Sequence, residues 1–309
     1  MRDFLWMAAG AAVLAVVTLM ARHFGTEQDL GEQRARHTRK IELVNAMRLA
    51  LASASEAEKS AVLAVTDQDS QTYADQARAV SADVERRRQE LDALLKEDGT
   101  QGERDFLGQF SKAFTDFQRI DSELLTLAAK NTNLKAYGLA YGPAAVAVRE
   151  MDAALSRLMA KAAGAAPTED VMRLSLGALT GALRIQALLA PHIAEESNEK
   201  MDELEARMAE QDREVRKDLV ALATVQKVGS DPDVKAASSA YDRFGEVRTQ
   251  LLTLSRENTN VRSVAISLNQ KRKVTILCQG ALEALQQAVL EEPNAGIDYG
   301  RFGRPADLP

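Results

Sequence analysis

The residue types that most often carry out chemistry in proteins are few and scattered in this chain. His23, His37 and His192 stand alone, without an HExxH or CxxC pattern beside them. A metal centre or a Cys/His nucleophile needs several such side chains at a fixed spacing. The acid pairs Glu195–Glu196 and Glu291–Glu292 have no base or nucleophile near them in the sequence. We therefore predict no enzyme, no catalytic or metal-binding residue and no cofactor, and any ligand-binding residue stays unassigned.

The cysteine and the aromatic residues are expected in the core. Cys278 is the only cysteine, so no intramolecular disulfide can form and helix packing must stabilise the chain. It lies in the apolar run VTILCQGALEAL, which favours a buried thiol over the alternative of a reactive or intermolecular one. Four aromatic residues have helical spacing and are expected in the core rather than in an aromatic cage. They are Phe114, Phe117, Tyr241 and Phe244.

Two basic runs and a repeated tripeptide are the other candidate sites. Arginines that project into a helical bundle can grip carboxylates, and Arg86–Arg88 is the densest basic run. Successive residues on a helix point about 100° apart, so we expect a solvated face there and also at Lys271–Lys273. Asn-Thr-Asn occurs at 131–133 and 258–260. Asn tolerates the left-handed conformation that closes a helix and Thr caps the next one, so we expect capping, with ligand contact as the alternative.

The composition is that of a helical protein without a nucleic-acid surface. Helix-forming residues dominate, whereas aromatic residues make up 5% and prolines number 7. The 39 basic and 45 acidic residues give a net charge of −6. Binding to nucleic acid needs a concentrated basic footprint, so we exclude that partner.

The N-terminus carries a candidate membrane span. Phe4–Ala21 contains no charged residue, and at about 1.5 Å of rise per residue its length approaches the roughly 30 Å of a hydrocarbon core. Trp6 suits one membrane interface and Arg22 the other. We predict an uncleaved anchor over residues 1–27, with a cleaved signal peptide as the alternative. Basic residues with interleaved acids follow the span, and these charges favour neither orientation strongly.

An internal repeat organises the rest of the chain. LLTLAAKNTN at 124–133 returns as LLTLSRENTN at 251–260, and the spacing of 127 residues aligns matching residues far on both sides. Amphipathic periodicity predicts four helices in each repeat. They are expected at 28–66, 69–97, 103–129 and 133–163, and then at 168–194, 197–226, 231–256 and 260–292.

Short turns between long helices favour antiparallel neighbours. We therefore predict an all-α chain in which the anchor is followed by two tandem up-down-up-down four-helix bundles, at 28–164 and 168–292. One long four-helix rod is the alternative. The tail at 293–309 is rich in Gly and Pro and is predicted to be disordered.

Several segments carry a resemblance to a known family. The helix ending in EAEKSAVLAV leads to the polar tip TDQDSQTY, and the charged helix VERRRQELDALL is followed by ELLTLAAKNTNLKAYGLA. Together they resemble the four-helix-bundle sensor domain of bacterial methyl-accepting chemotaxis receptors, over about residues 28–292. The resemblance is one of helix lengths and small residues, not of a catalytic signature.

The resemblance implies a sensory or protein-interaction module in the bacterial inner membrane, with one span and its soluble region in the periplasm. Such receptors also carry a second span and a cytoplasmic signalling coiled coil, which the sequence after Ala21 does not show. The expectation is a module without its own output domain, in a homodimer or beside a separate membrane or signalling partner. A small-molecule ligand is possible and unidentified. The alternatives are a structural spacer or adaptor that holds a partner near the membrane, and a cytoplasm-facing scaffold.

Overall fold

The computed structural model describes residues 2–163, 168–226 and 228–291, with side chains for 31–163, 169–226 and 228–291. Every element within these residues is a helix, and none is a strand. The all-α fold class predicted from the composition and the periodicity is therefore confirmed.

The helices follow the two repeats, and each repeat includes a short π-helical segment. The first repeat contains α1 (Arg2–Leu63), α2 (Asp67–Asp98), α3 (Gln101–Lys130), α4 (Thr132–Leu139), π1 (Ala140–Ala144) and α5 (Ala145–Ala162). The second contains α6 (Thr168–Ala194), α7 (Asn198–Thr224), α8 (Pro232–Glu257), α9 (Thr259–Ile266), π2 (Ser267–Lys271) and α10 (Arg272–Glu291).

The two π-helical segments are an irregularity that the sequence did not predict. Each divides a helix that we expected to be continuous, at 133–163 and at 260–292. Pro143 and the non-helical backbone of Gly142 (φ −94°, ψ −105°) account for the break in π1, since proline lacks the N–H that a regular helix needs. The second segment, Ser-Leu-Asn-Gln-Lys, contains neither residue but lies at the same 127-residue spacing. The irregularity therefore belongs to the fold of the repeat and not to the proline alone.

The chain forms two compact units that do not follow its order. Unit 1 comprises Met1–Glu56, Gln76–Arg119 and Arg272–Pro309, and unit 2 comprises Ala57–Asp75 and Ile120–Lys271. The last helix of each repeat is thus exchanged, because α10 packs with α1–α3 and α5 packs with α6–α8. In the predicted arrangement, by contrast, each of the segments 28–164 and 168–292 contained its own fourth helix. The choice between tandem bundles and one rod stays a prediction.

Unit 1 has a dense core of aliphatic and aromatic side chains. Phe110, Phe114 and Phe117 lie about one turn apart on α3, and their rings stack with centroids 5.3 and 5.5 Å apart. Cys278 of α10 is fully buried against the same core. The prediction that Phe114, Phe117 and Cys278 are core residues is confirmed.

A buried ion pair closes the turn between α2 and α3. Lys40 and Glu103 are 1% and 0% exposed, and their charged atoms lie 3.3 Å apart. Lys40 also donates to the carbonyl of Asp98 at 2.6 Å. Thr100 and Glu103 form a capping box, since each side chain accepts a hydrogen bond from the other's backbone N–H, at 3.2 and 2.7 Å. The start of α3 is therefore fixed by side chains from α1 and from the turn itself.

The core of unit 2 is formed by α5, α6, α7 and α8. The rings of Tyr241 and Phe244 are buried, with centroids 5.9 Å apart, as the sequence predicted. The Tyr241 hydroxyl donates to Asp212 at 2.7 Å, which satisfies the polar end of the buried ring.

One helix of unit 2 has the length and composition of a membrane span. Glu169–Ala194 contains 26 residues, and its most apolar window of 18 residues has a mean hydropathy of 1.3. One stripe of α6, including Val171, Ala178, Ile185 and Leu189, packs in the core of unit 2, as a core helix of the same composition would. The predicted anchor at Phe4–Ala21 lies on α1, and its side chains fall outside the described residues, as does the tail at 293–309.

Candidate functional site at the joint between the repeats

The two Asn-Thr-Asn segments meet in the interior of unit 2. Asn131 ends α3 and Asn258 ends α8, and both adopt the left-handed conformation, with φ of 51° and 52°. A short polar side chain makes this conformation tolerable for Asn. The six residues 131–133 and 258–260 are called the joint below. All but Asn260 are almost completely buried.

Each threonine of the joint caps the helix of the other repeat. The backbone N–H of Thr132 donates to Thr259 Oγ1 at 3.1 Å, and the N–H of Thr259 donates to Thr132 Oγ1 at 3.1 Å. The two hydroxyl oxygens lie 3.2 Å apart. The first N–H groups of α4 and α9, which have no partner inside their own helices, are satisfied in this way. Helix capping was predicted for these residues, but the caps are exchanged between the repeats.

The asparagines continue the same reciprocal pattern. The N–H groups of Asn133 and Asn260 each donate to the other's side-chain oxygen at 3.1 Å. The side-chain amide of Asn133 donates to Asn258 Oδ1 at 2.7 Å, and that of Asn260 donates to Asn131 Oδ1 at 2.9 Å. Contacts between equivalent residues are those that a two-fold axis produces. The joint therefore has the geometry of a dimer interface within one chain.

The helix ends beside the joint are bound to it asymmetrically. On the side of the first repeat, Asn131 Nδ2 donates to the hydroxyl of Ser70 in α2 at 2.8 Å. On the other side, Asn258 Nδ2 donates to the carbonyl of Glu195 at 2.8 Å, and Asn133 Nδ2 donates to the carbonyl of Ile193 at 2.7 Å. The C-terminal end of α6 is thus held by asparagines of both repeats.

A buried histidine lies directly beside this end of α6. His192 is 0% exposed, its Nε2 is 2.9 Å from Glu205 Oε1 of α7, and its Nδ1 is 2.8 Å from Ser255 Oγ of α8. Arg256 Nε donates to the same Glu205 oxygen at 2.7 Å, and Arg256 also pairs with Asp202. The network ties the ends of α6, α7 and α8 together at the joint.

Burial lowers the pKa of His192, and the positive charge of Arg256 acts in the same direction, while the hydrogen bond to Glu205 opposes both. Hydrogen bonds from Arg256 and His192 lower the pKa of Glu205, so this carboxyl is ionised near neutral pH. The repeat partners of the network, Val65, Arg78 and Ala128, cannot form it. Nothing in the sequence around the isolated His192 marked it as part of a site.

A second polar cluster in unit 2 corrects a prediction about a basic run. Lys271 was expected on a charged surface, but it is 1% exposed and pairs with Asp121, which is 4% exposed. Glu58 is also buried nearby, and its Oε1 has no hydrogen-bond partner. Burial raises the pKa of Glu58, while a hydrogen bond with Ser267 and the charge of Lys271 oppose the shift. Arg272 and Lys273 are exposed, as expected.

The other basic run, Arg86–Arg88, pairs with acids of its own helix. Arg86 and Arg87 contact Asp83, and Arg88 contacts Glu85 at 2.8 Å. Arg86 is 68% exposed, whereas Arg87 and Arg88 are partly buried at 30% and 20%, so the predicted solvated face is found fully only at Arg86.

Two grooves on unit 2 are shallow, and the arginines that line the first of them are paired with acids. One groove of about 320 Å³ lies between α5 and α8, where Arg157 pairs with Asp233 and Arg243 pairs with Glu150. Another, of about 330 Å³, is lined mainly by apolar residues that include Tyr141. Among the described residues, no three His, Cys, Asp or Glu side chains are grouped closely enough to hold a metal ion.

Comparison of the sequence with known proteins identifies no relative. A scan against models of protein families finds no match, and a search of curated proteins finds no similar sequence.

Proposed function

We propose that the chain is a membrane-anchored, chemoreceptor-like sensory or protein-interaction module that acts on a separate output partner. The joint carries this proposal, because its reciprocal hydrogen bonds couple helices of both repeats at one buried point. A packed polar interface has few alternative arrangements, so a small shift of one helix there shifts its neighbours as well. The resemblance to chemotaxis-receptor sensor domains, which covers both repeats, supports the same role.

The proposal places the anchor at Phe4–Ala21 in the bacterial inner membrane and the helical units in the periplasm. We expect a periplasm-active reporter fused after Glu292 to be active and a cytoplasm-active reporter at the same position to be silent. A fusion after Met1 is the matched control and should give the opposite pattern. A cytoplasmic signal from the fusion after Glu292 would reject the periplasmic sensor and favour a cytoplasm-facing scaffold.

An exposed apolar face favours a second candidate function, that of an adaptor holding a protein partner near the membrane. Met172, Leu176 and Leu183 lie on the outer side of α6 and are 38%, 49% and 48% exposed. Tyr141, which is 70% exposed, borders the same groove as Leu183. Contiguous exposed apolar residues are typical of surfaces that bind proteins.

Leu176→Glu combined with Leu183→Glu should abolish capture of a co-purifying partner, because charges on this face prevent its burial against another protein. Leu49→Glu is the control, since Leu49 on α1 is 71% exposed in unit 1 and its charge should leave capture unchanged. Quantitative crosslinking of the full chain in membranes provides the measurement. Equal capture by both variants would reject α6 as the adaptor surface. Stabilisation by a carboxylate, amine or amino acid in a thermal-shift screen would favour the sensor instead.

A further inference from the structure

His192 has hydrogen-bond partners that fix its protonation state. Glu205 is ionised, so its Oε1 can only accept, and it does so from Arg256 as well. The Nε2 atom of His192 must therefore carry a proton. In the neutral ring, Nδ1 is then an acceptor, and the Ser255 hydroxyl donates a hydrogen bond to it.

A second proton on the ring would reverse this arrangement. Protonated Nδ1 becomes a donor to Ser255 Oγ, and the hydroxyl must turn toward its other acceptor, the carbonyl of His192 at 3.1 Å. The resulting imidazolium would be fully buried. Its formation is opposed by burial and by Arg256 and is favoured only by Glu205.

No other group that faces His192 from the packed helices alters the balance between burial and Arg256, which oppose protonation, and Glu205, which favours it. Glu205 and Arg256 are the charged groups from α7 and α8, and Asp202 acts only through Arg256. On its own segment, Glu195 follows the helix, and its carboxylate accepts from the backbone N–H groups of Glu196 and Ser197. The contribution from α4 is the uncharged amide of Asn133.

We propose that His192 acts as a pH-dependent release for the joint. The neutral imidazole holds the C-terminal end of α6 against α7 and α8. Protonation at Nδ1 favours an open state, in which this end has separated from the two helices. The carbonyls of Ile193 and Glu195, which bind Asn133 and Asn258, lie within three residues of the ring. Opening this end of α6 therefore removes hydrogen bonds from the joint itself. The release rests on the proposed function for its biological role, as a means by which acidity acts on the joint.

The sign of the effect follows from linkage. The pKa of His192 lies below its ordinary value of 6.5 in the closed state, and an open, hydrated ring returns to that value. Closure is therefore fully favoured above pH 6.5 and is lost as the pH falls toward the lowered pKa. Within that window the ratio of open to closed forms rises by up to about tenfold per pH unit.

Hydrogen exchange of the full chain between pH 7.5 and 5.0, corrected for intrinsic exchange rates and measured without ligand or partner, tests the release. Exchange at residues 193–197 should accelerate with acidity. The equivalent segment at 66–70 is an internal control, since it follows Val65 and should show no such acceleration. His192→Gln, which keeps a donor for Glu205 and cannot titrate, should abolish the acceleration.

Nitrogen-15 NMR of the histidine rings provides an independent test if His192→Gln does not fold. In the wild type, the second protonation of the His192 ring should have its midpoint below pH 6.5. Ser255→Ala, which introduces the residue found at the equivalent Ala128, removes the acceptor that protonated Nδ1 needs in the buried site and should lower the pKa further. A doubly protonated ring above pH 6.5, or acid acceleration that persists in His192→Gln, would overturn the proposal. The reporter fusions decide the membrane role separately.

Discussion

Lys271→Met should lower the free energy of unfolding by about 3–5 kcal/mol, because it removes the cation from a buried cluster that retains two carboxyl groups. Lys271 and Asp121 are 1% and 4% exposed, and Glu58 is 1% exposed with Oε1 already unpartnered. Without Lys271, Asp121 loses its ion pair, and the pKa of Glu58 loses one of the influences that oppose its rise. Breaking a buried pair in this way costs much more than losing an exposed one.

Reversible urea unfolding followed by far-UV circular dichroism would measure this change. Lys273→Met is the matched control, because Lys273 is exposed two residues away and its replacement should change stability by less than about 0.5 kcal/mol. The double change Lys271→Met with Asp121→Leu should recover most of the loss, since it removes the stranded charge and leaves apolar groups. If Lys271→Met is no more harmful than Lys273→Met, the pair does not stabilise the fold.

The sequence predicted the helices and the repeat well because both are local properties. Apolar residues at helical spacing and turn-forming residues placed the ends of α2, α3, α6, α7 and α8 within a few residues of those observed. The 127-residue spacing reappears in the left-handed Asn131 and Asn258 and in both π-helical segments. Each of these features depends on residues close together in the chain.

The exchange of the fourth helices could not be predicted in the same way. Periodicity shows which face of a helix is apolar, but α5 and α10 come from repeats with the same pattern, so either fits either core. The core in which α5 packs is linked to the contacts at the joint. There the threonines cap each other's helices, and α4 and α5 pack against α8 of the other repeat. A contact between positions 127 residues apart leaves no local signal.

The polar residues of unit 2 were misjudged for a related reason. Lys271 lies in a basic run, which usually marks a solvated face, yet its partner Asp121 is 150 residues away in the chain. His192 is isolated in the sequence, while Ser255 is 63 residues away and Glu205 is 13 residues away on the next helix. Their roles depend on tertiary packing, and residue type alone favours the commoner surface or core interpretation.

Thr132→Val combined with Thr259→Val should destabilise the chain by about 2–5 kcal/mol, because the isosteric change leaves two buried backbone N–H groups without acceptors. Each single variant removes one cap, from Thr259 N–H or from Thr132 N–H, and also removes the contact between the two hydroxyls. The two singles should therefore cost similar amounts. Their sum should exceed the cost of the double variant, since the hydroxyl contact is counted in both.

Thr126→Val with Thr253→Val is the matched control for this double variant. These threonines are also 127 residues apart, but they are exposed and bond only to carbonyls one turn earlier in their own helices, so the change should be small. Urea unfolding would give both free-energy changes, and hydrogen exchange at 132–135 and 259–262 would locate them. Loss of protection confined to one repeat would contradict reciprocal capping, because removal of both caps must expose α4 and α9 alike. Equal loss in both repeats would show that the joint holds them as two halves of one interface, as transmission of a helix shift requires.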